Sequence, residues 1–168
     1  MKQGPRYHVK PRRHRNGRTD YRRRLSLLQS KKPRISIRKS LKYIRVQFIE
    51  YSSTGDKVLV SVISKDLMKK YHWKFSTSST PAAYLTGLMA GQIAKEKGIK
   101  EGIFDIGRYP ATPGSKLFAT VKGVIDTGIV CPYNEKMFPS EERLIGKHLN
   151  KEIQPIVTKI KSNIIGGK

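Results

Sequence analysis

In the stretch RYHVKPRRHRNGRTDYRRR, residues 6–24, the rings of Tyr7, His8, His14 and Tyr21 are interleaved with long cations. Ammonium and guanidinium groups pair with phosphate, while flat rings and guanidinium planes stack on unpaired bases. Arginine outnumbers lysine here, which favours binding, because its planar fork grips a phosphate at two points. Arg6, Tyr7, Lys10, Arg12, Arg13, Arg15 and Arg18 are therefore candidate RNA contacts, followed by Tyr21, Arg22, Arg23 and Arg24. The first 45 residues hold seventeen Lys and Arg against one acid, Asp20, a net +16. The remaining 123 hold eighteen basic and eleven acidic side chains, a net +7, and the two parts make up the total of +23. Charge this dense repels itself and opposes compaction unless a polyanion neutralises it. Nucleic acid is the partner it implies, since Lys and Arg displace condensed counterions from phosphates. A solvated tail or a targeting peptide is the plainer alternative.

A second basic group lies on a strand pattern. In RISIRKS, Ile35 and Ile37 point one way while Arg34, Ser36 and Arg38 point the other. Arg45 and Gln47 extend that polar face in YIRVQFIEY, and Lys39 and Lys42 sit at the intervening turn. Three arginines with no balancing acid between Lys31 and Arg45 are costly as a merely solvated face, so RNA contact is expected for Arg34, Arg38, Lys39, Lys42 and Arg45. Lys74 adjoins Tyr71, His72 and Trp73, a group that either stacks on a base or plugs the core edge; for Trp73 the core is the expected place. The Ser and Thr cluster at 76–80 stands at a helix start, where free amides hold a phosphate or hydroxyls simply cap.

The elements that must position these groups follow from periodicity. Residues 1–18 form an extended basic arm with too little apolar surface to fold alone. A short helix begins at Thr19 or Asp20, shows Leu25, Leu27 and Leu28, and ends at Pro33. Strands follow at RISIRKS, YIRVQFIEY and KVLVSVIS, the last aligning Val58, Val60 and Val62. Residues 65–79 are a polar connection. A helix starts at Thr80 and Pro81 and runs to about Lys97, and GIFDIG at 102–107 is a buried fourth strand. A second helix runs from near Thr112 and Pro113 to Gly128, and Ser140 caps a third. Past Pro155 a short basic tail is expected, ending in Gly-Gly-Lys. The fold class is α+β: a mixed sheet built from a three-stranded antiparallel meander plus one βαβ crossover, with helices packed on one face and a basic extended N-terminal arm. The expected organisation is a basic RNA-binding arm 1–18, a single α+β RNA-binding domain 19–150 and a short basic tail 151–168.

Several classes are disfavoured. No apolar run approaches the roughly 20 residues that cross a bilayer, so no membrane partner is expected. The N-terminus lacks the apolar stretch of a secretory signal, and Gly4, Pro5, Pro11 and Gly17 break the helix of a mitochondrial presequence. The lone Cys131 makes no internal disulfide and is expected to be structural in a reducing, cytoplasmic setting. Pro113, Gly114, Ser115 and Lys116 resemble the end of a phosphate loop, but the full GxxxxGK[ST] pattern is absent. His72 and His148 have no metal-ligand spacing, so no metal, cofactor or small-molecule substrate is expected. The element order resembles the ribonuclease H arrangement, whose metal chemistry needs clustered carboxylates. Here the first strand offers Arg34 and Arg38, and Asp105 on the fourth has no obvious company, so the protein is expected not to be an enzyme.

At TDYRRRLSLL, RISIRKS and STPAAYLTGLMAG, and on through DIGRYPATPGSKLFATVKGVIDTG and FPSEERLIGKH, the chain resembles a known family. It is the L-eighteen family of large-subunit ribosomal proteins, which binds 5S ribosomal RNA, in its archaeal form. The likeness spans residues 5–148. It implies a cytoplasmic, non-catalytic component of the central protuberance that helps attach 5S rRNA to the large subunit. The implied partners are 5S rRNA, 23S-type rRNA and neighbouring ribosomal proteins. A chromatin-type DNA-binding protein is the competing expectation, although the basic residues here occupy an arm and a sheet face, not a recognition helix.

Overall fold

Period-two alternation places one apolar face on three consecutive strands, and that face organises the fold. The computed structural model describes residues 4–150 and 152–166, so the first three positions of the arm, Lys151 and the closing Gly167 and Lys168 lie outside the described residues. Strands β1 (Arg34–Lys39), β2 (Ile44–Glu50) and β3 (Lys57–Ile63) form the expected antiparallel meander. Ile35 stands opposite Phe48 and Ile37 opposite Val46, while Val46 and Phe48 face Val62 and Val60 in turn. All six are buried. The register shifts between Phe48 and Ile49, whose partner is Val58. An extra residue in a strand reverses the alternation beyond it. Val58, expected beside Val60 and Val62, is therefore 48% exposed, and Leu59 packs against the core instead.

Strand β4 (Ile103–Asp105) completes the sheet in the order β3-β2-β1-β4, parallel to β1, with Ile35 beside Phe104. The parallel pair matches the expected crossover, but the strand is three residues long. The crossing helix, α4 (Thr80–Glu96), starts with Ser79 Oγ accepting from the Ala82 amide and with Pro81 in its first turn. It is buried nearly all round, because the sheet, α5 (Lys116–Asp126) and α7 (Ile153–Ile165) each cover part of it. Its small residues make the closest approach feasible. A Cβ at Gly87 would lie 2.2 Å from the Thr120 carbonyl oxygen, and one at Gly123 would lie 2.3 Å from that of Tyr84. Backbone packs on backbone there.

Three segments differ from expectation. The connection at 65–79 contains a short helix, α3 (Lys65–Tyr71), which buries Leu67. Ser140 does precede a helix, α6 (Glu141–Ile145), but Gly146 at φ +88° ends it after five residues. The segment past Pro155 is not a tail. It is most of α7, which buries Ile153, Val157, Ile160 and Ile164 on one side. Pro155 falls in the first turn, where its missing N–H costs no intrahelical bond, so it starts this helix instead of stopping it.

The N-terminal segment is also more ordered than an extended arm. A single helical turn, α1 (Arg12–Arg15), is followed by α2 (Tyr21–Gln29). Asp20 caps α2 by accepting from the amides of Arg22 and Arg23. Neither α1 nor α2 has a buried residue, so both are held to the body largely by polar contacts.

Candidate nucleic-acid interface

The sheet face opposite the large helices carries Arg34, Ser36 and Arg38, as alternation in β1 requires. Its arginines are not unbalanced, however. Arg34 Nη2 lies 2.7 Å from Asp56 Oδ2, and Arg34 Nη1 lies 3.3 Å from Asp105 Oδ2. Arg38 Nη2 reaches the same Asp105 oxygen at 3.0 Å, and Arg38 Nη1 donates to the Asp105 carbonyl at 2.6 Å. Asp105 thus has close company, but it is cationic. Parallel pairing sets β4 beside β1, with Asp105 opposite Ser36, between the two arginines. Burial pushes the Asp105 carboxyl up; Arg38, the Gly107 amide at 2.7 Å and Arg34 outweigh that and hold it below the ordinary carboxylate value.

These pairings sort the arginines into two roles. Arg34 is 5% exposed and bonded to two carboxylates, so its guanidinium serves the framework of this face. Arg38 keeps 40% of its side chain exposed. Arg24 Nη2 reaches Asp56 Oδ2 at 2.8 Å, joining α2 to the sheet through the carboxylate that Arg34 also uses. Arg23 Nη1 donates to the Gly107 carbonyl at 2.9 Å.

Between α2, the arm and this face lies a cleft of about 250 Å³. Arg13, Arg18, Arg23, Arg24, Arg34 and Arg38 line it, so six candidates from two separate stretches of sequence converge. A seventh arginine, Arg108, joins them from the loop after β4 and donates to the Gly17 carbonyl at 2.5 Å. Sequence reasoning missed Arg108, since it stands alone in GRYP far from any basic run. Its one signal was a position just beyond a strand that pairs with β1.

Other candidates lie elsewhere. Arg6, Tyr7, Arg12, Arg15 and Arg22 are exposed on the arm and α2, and Lys10 and Tyr21 line a separate cleft. Lys39 and Lys42 sit at the β1–β2 turn, where Lys39 Nζ lies 5.4 Å from the Tyr109 ring centre and the Lys42 carbonyl accepts from Thr77 Oγ1 at 2.7 Å. Arg45 is exposed on β2 opposite Arg38. Lys74 is exposed while Trp73 is 1% exposed, with its Nε1 donating to the Ser76 carbonyl; Trp73 fills the core. Ser79 serves as a cap, and Lys116 Nζ reaches Ser78 Oγ at 3.3 Å, so the two serine-bearing helix starts are neighbours. Cys131 is buried, which pushes its thiol up to about 12 and suits a structural role.

Comparison with known proteins fits an arginine-built surface on an α+β body. Residues 5–102 match the family described as ribosomal large subunit proteins 60S L5 and 50S L18. The large ribosomal subunit protein uL18 of Korarchaeum cryptofilum is 48% identical over 149 residues, 89% of this chain and 76% of that protein. The uL18 proteins of Aeropyrum pernix and Methanococcoides burtonii are 44% and 45% identical over the same share of this chain, covering 70% and 86% of their own lengths. The region matched by the family includes the arm from Pro5, α2 and the whole β1–β3 meander, and stops just before β4. This chain belongs to the uL18 family of large ribosomal subunit proteins.

Proposed function

We propose that this protein binds 5S rRNA and helps attach it to the large-subunit rRNA in the central protuberance, with neighbouring ribosomal proteins as further partners. Membership of the family makes it a structural constituent of the large subunit of the cytoplasmic ribosome. The finer reading is supported by one observation above others: arginines of the arm, α2 and β1 line a single cleft in which Asp56 and Asp105 fix Arg24, Arg34 and Arg38. Fixed guanidiniums lose little freedom on binding, and an array with defined spacing discriminates among folded RNAs by backbone shape. Arg38, Arg13, Arg18, Arg22 and the exposed arm cations are the proposed phosphate ligands; Arg34 braces the Asp105 carboxylate that also holds Arg38.

The test is filter binding of cognate 5S rRNA with excess tRNA present, repeated across a salt series. Retention against tRNA is expected, with the logarithm of affinity falling linearly with that of salt. Arg22→Ala is expected to reduce that slope by about 1, the signature of one phosphate ligand removed. Binding that tRNA removes and duplex DNA matches would overturn the 5S assignment.

A further inference from the structure

A second cleft, of about 400 Å³, opens where the arm meets the start of α2. Lys10, His14, Tyr21, Arg22 and Arg108 line it, together with Thr19 and Asp20. Its volume falls within the range of roughly 300–1,000 Å³ typical of small-ligand pockets. We propose that this cleft receives a single unstacked nucleotide of the bound RNA, with the base on the Tyr21–His14 ring pair and the flanking phosphate on Lys10, Arg22 and Arg108. The proposal rests on the RNA-binding reading above and names what one part of that surface takes.

The chemistry of the walls selects the ligand. The His14 and Tyr21 ring centres are 6.2 Å apart with planes 33° apart, so the rings already touch each other and a base cannot slide between them. It extends the stack from outside, on the Tyr21 ring, which is 38% exposed. Any base presents a π-face, so stacking asks only that it be unpaired. Three cations surround the rings and outnumber the single acid, Asp20, whose Oδ1 accepts from the amides of Arg22 and Arg23 at 3.0 and 3.2 Å. A planar group next to an anion fits this lining. An acidic peptide would use the cations but leave the rings idle.

The cleft is also built, not draped. Arg108 comes from 91 positions beyond Gly17, and its guanidinium is fixed by the Gly17 carbonyl. Gly17 sits at φ +63°, and a Cβ there would lie 3.0 Å from Arg108 Nη1, so both its conformation and its lack of a side chain admit the approach. Across the turn, Arg13 Nε donates to Thr19 Oγ1 at 2.9 Å. The arm is thereby closed into a loop that turns Lys10 and His14 toward the space lined by Tyr21 and Arg22.

Two measurements on the full chain with 5S rRNA decide it. Tyr21→Leu keeps bulk but removes the π-face, and should weaken binding about tenfold with an unchanged salt slope, while Tyr21→Phe recovers most of that loss. Ultraviolet crosslinking of the wild-type protein, read by mass spectrometry, should place a nucleotide adduct on His14 or Tyr21. Selective 5S binding with Tyr21→Leu equal to wild type and adducts only outside residues 10–22 overturns the cleft and leaves the 5S assignment standing. Loss of 5S selectivity with the Tyr21 adduct still present does the reverse.

Discussion

Asp105 shows how one carboxylate organises charges that would otherwise repel. It holds Arg34 and Arg38 on β1 and the Gly107 amide, and Asp56 adds Arg24 to the same assembly. Asp105→Ala is expected to cost about 3 kcal/mol in urea unfolding, because Arg34 is left buried with half its partners gone. The pH dependence follows from the depressed Asp105 value. A carboxylate that holds its proton more tightly when unfolded stabilises the fold above the unfolded value of about 3.9, and that stability fades as pH falls through the folded value. The stability gap between wild type and Asp105→Ala should therefore be widest at neutral pH and close under acid. A gap that stays constant down to strong acid would mean that the carboxylate's charge is not what matters.

At the scale of elements, α4 is the pillar, and its neighbours are set by what its surface lacks. Gly87 and Gly123 bring α4 and α5 close enough that a methyl group meets backbone. Gly123→Ala should cost about 1–3 kcal/mol in thermal unfolding, since backbone cannot swing aside as a side chain can. The remaining side of α4 is covered by α7, whose Ile160 is 4% exposed. Ile160→Ala is expected to cost about 2–5 kcal/mol through lost burial and the cavity left behind. Were residues past Pro155 a solvated tail, that substitution would leave the urea midpoint where it was.

At the scale of the whole molecule, the chain divides into a body that buries apolar surface and an arm that does not. The arm's links to the body are exposed hydrogen bonds such as Arg108 to Gly17, and exposed polar pairs contribute about 0–1 kcal/mol each. Removal of residues 1–18 should therefore leave the circular dichroism melt of the body within about 1 kcal/mol of wild type while sharply reducing affinity for 5S rRNA and its salt slope. A large loss of helical signal would instead make the arm part of the folding unit.

Local chemistry was enough to announce the meander, the α4 start and the basic character of the N-terminal segment and β1. Alternation, Pro at a helix start and charge density all act between near neighbours in sequence, so the order of residues by itself determined them. The family likeness was equally legible, because long ordered strings carry it. What only the tertiary structure decided was which charges meet. Asp105 had no visible partner and Arg34 no visible balancing acid until parallel pairing of β4 with β1 brought residues 71 positions apart into hydrogen-bond range. Arg108 entered the site by that same pairing. The helical character of α7 was hidden for a related reason: Pro155 looks like a stop, and only the uncovered side of α4 gives Ile153, Val157, Ile160 and Ile164 something to bury against. A long-range contact leaves no local trace, and at this surface the long-range contacts separate the arginines that build from those left free to bind.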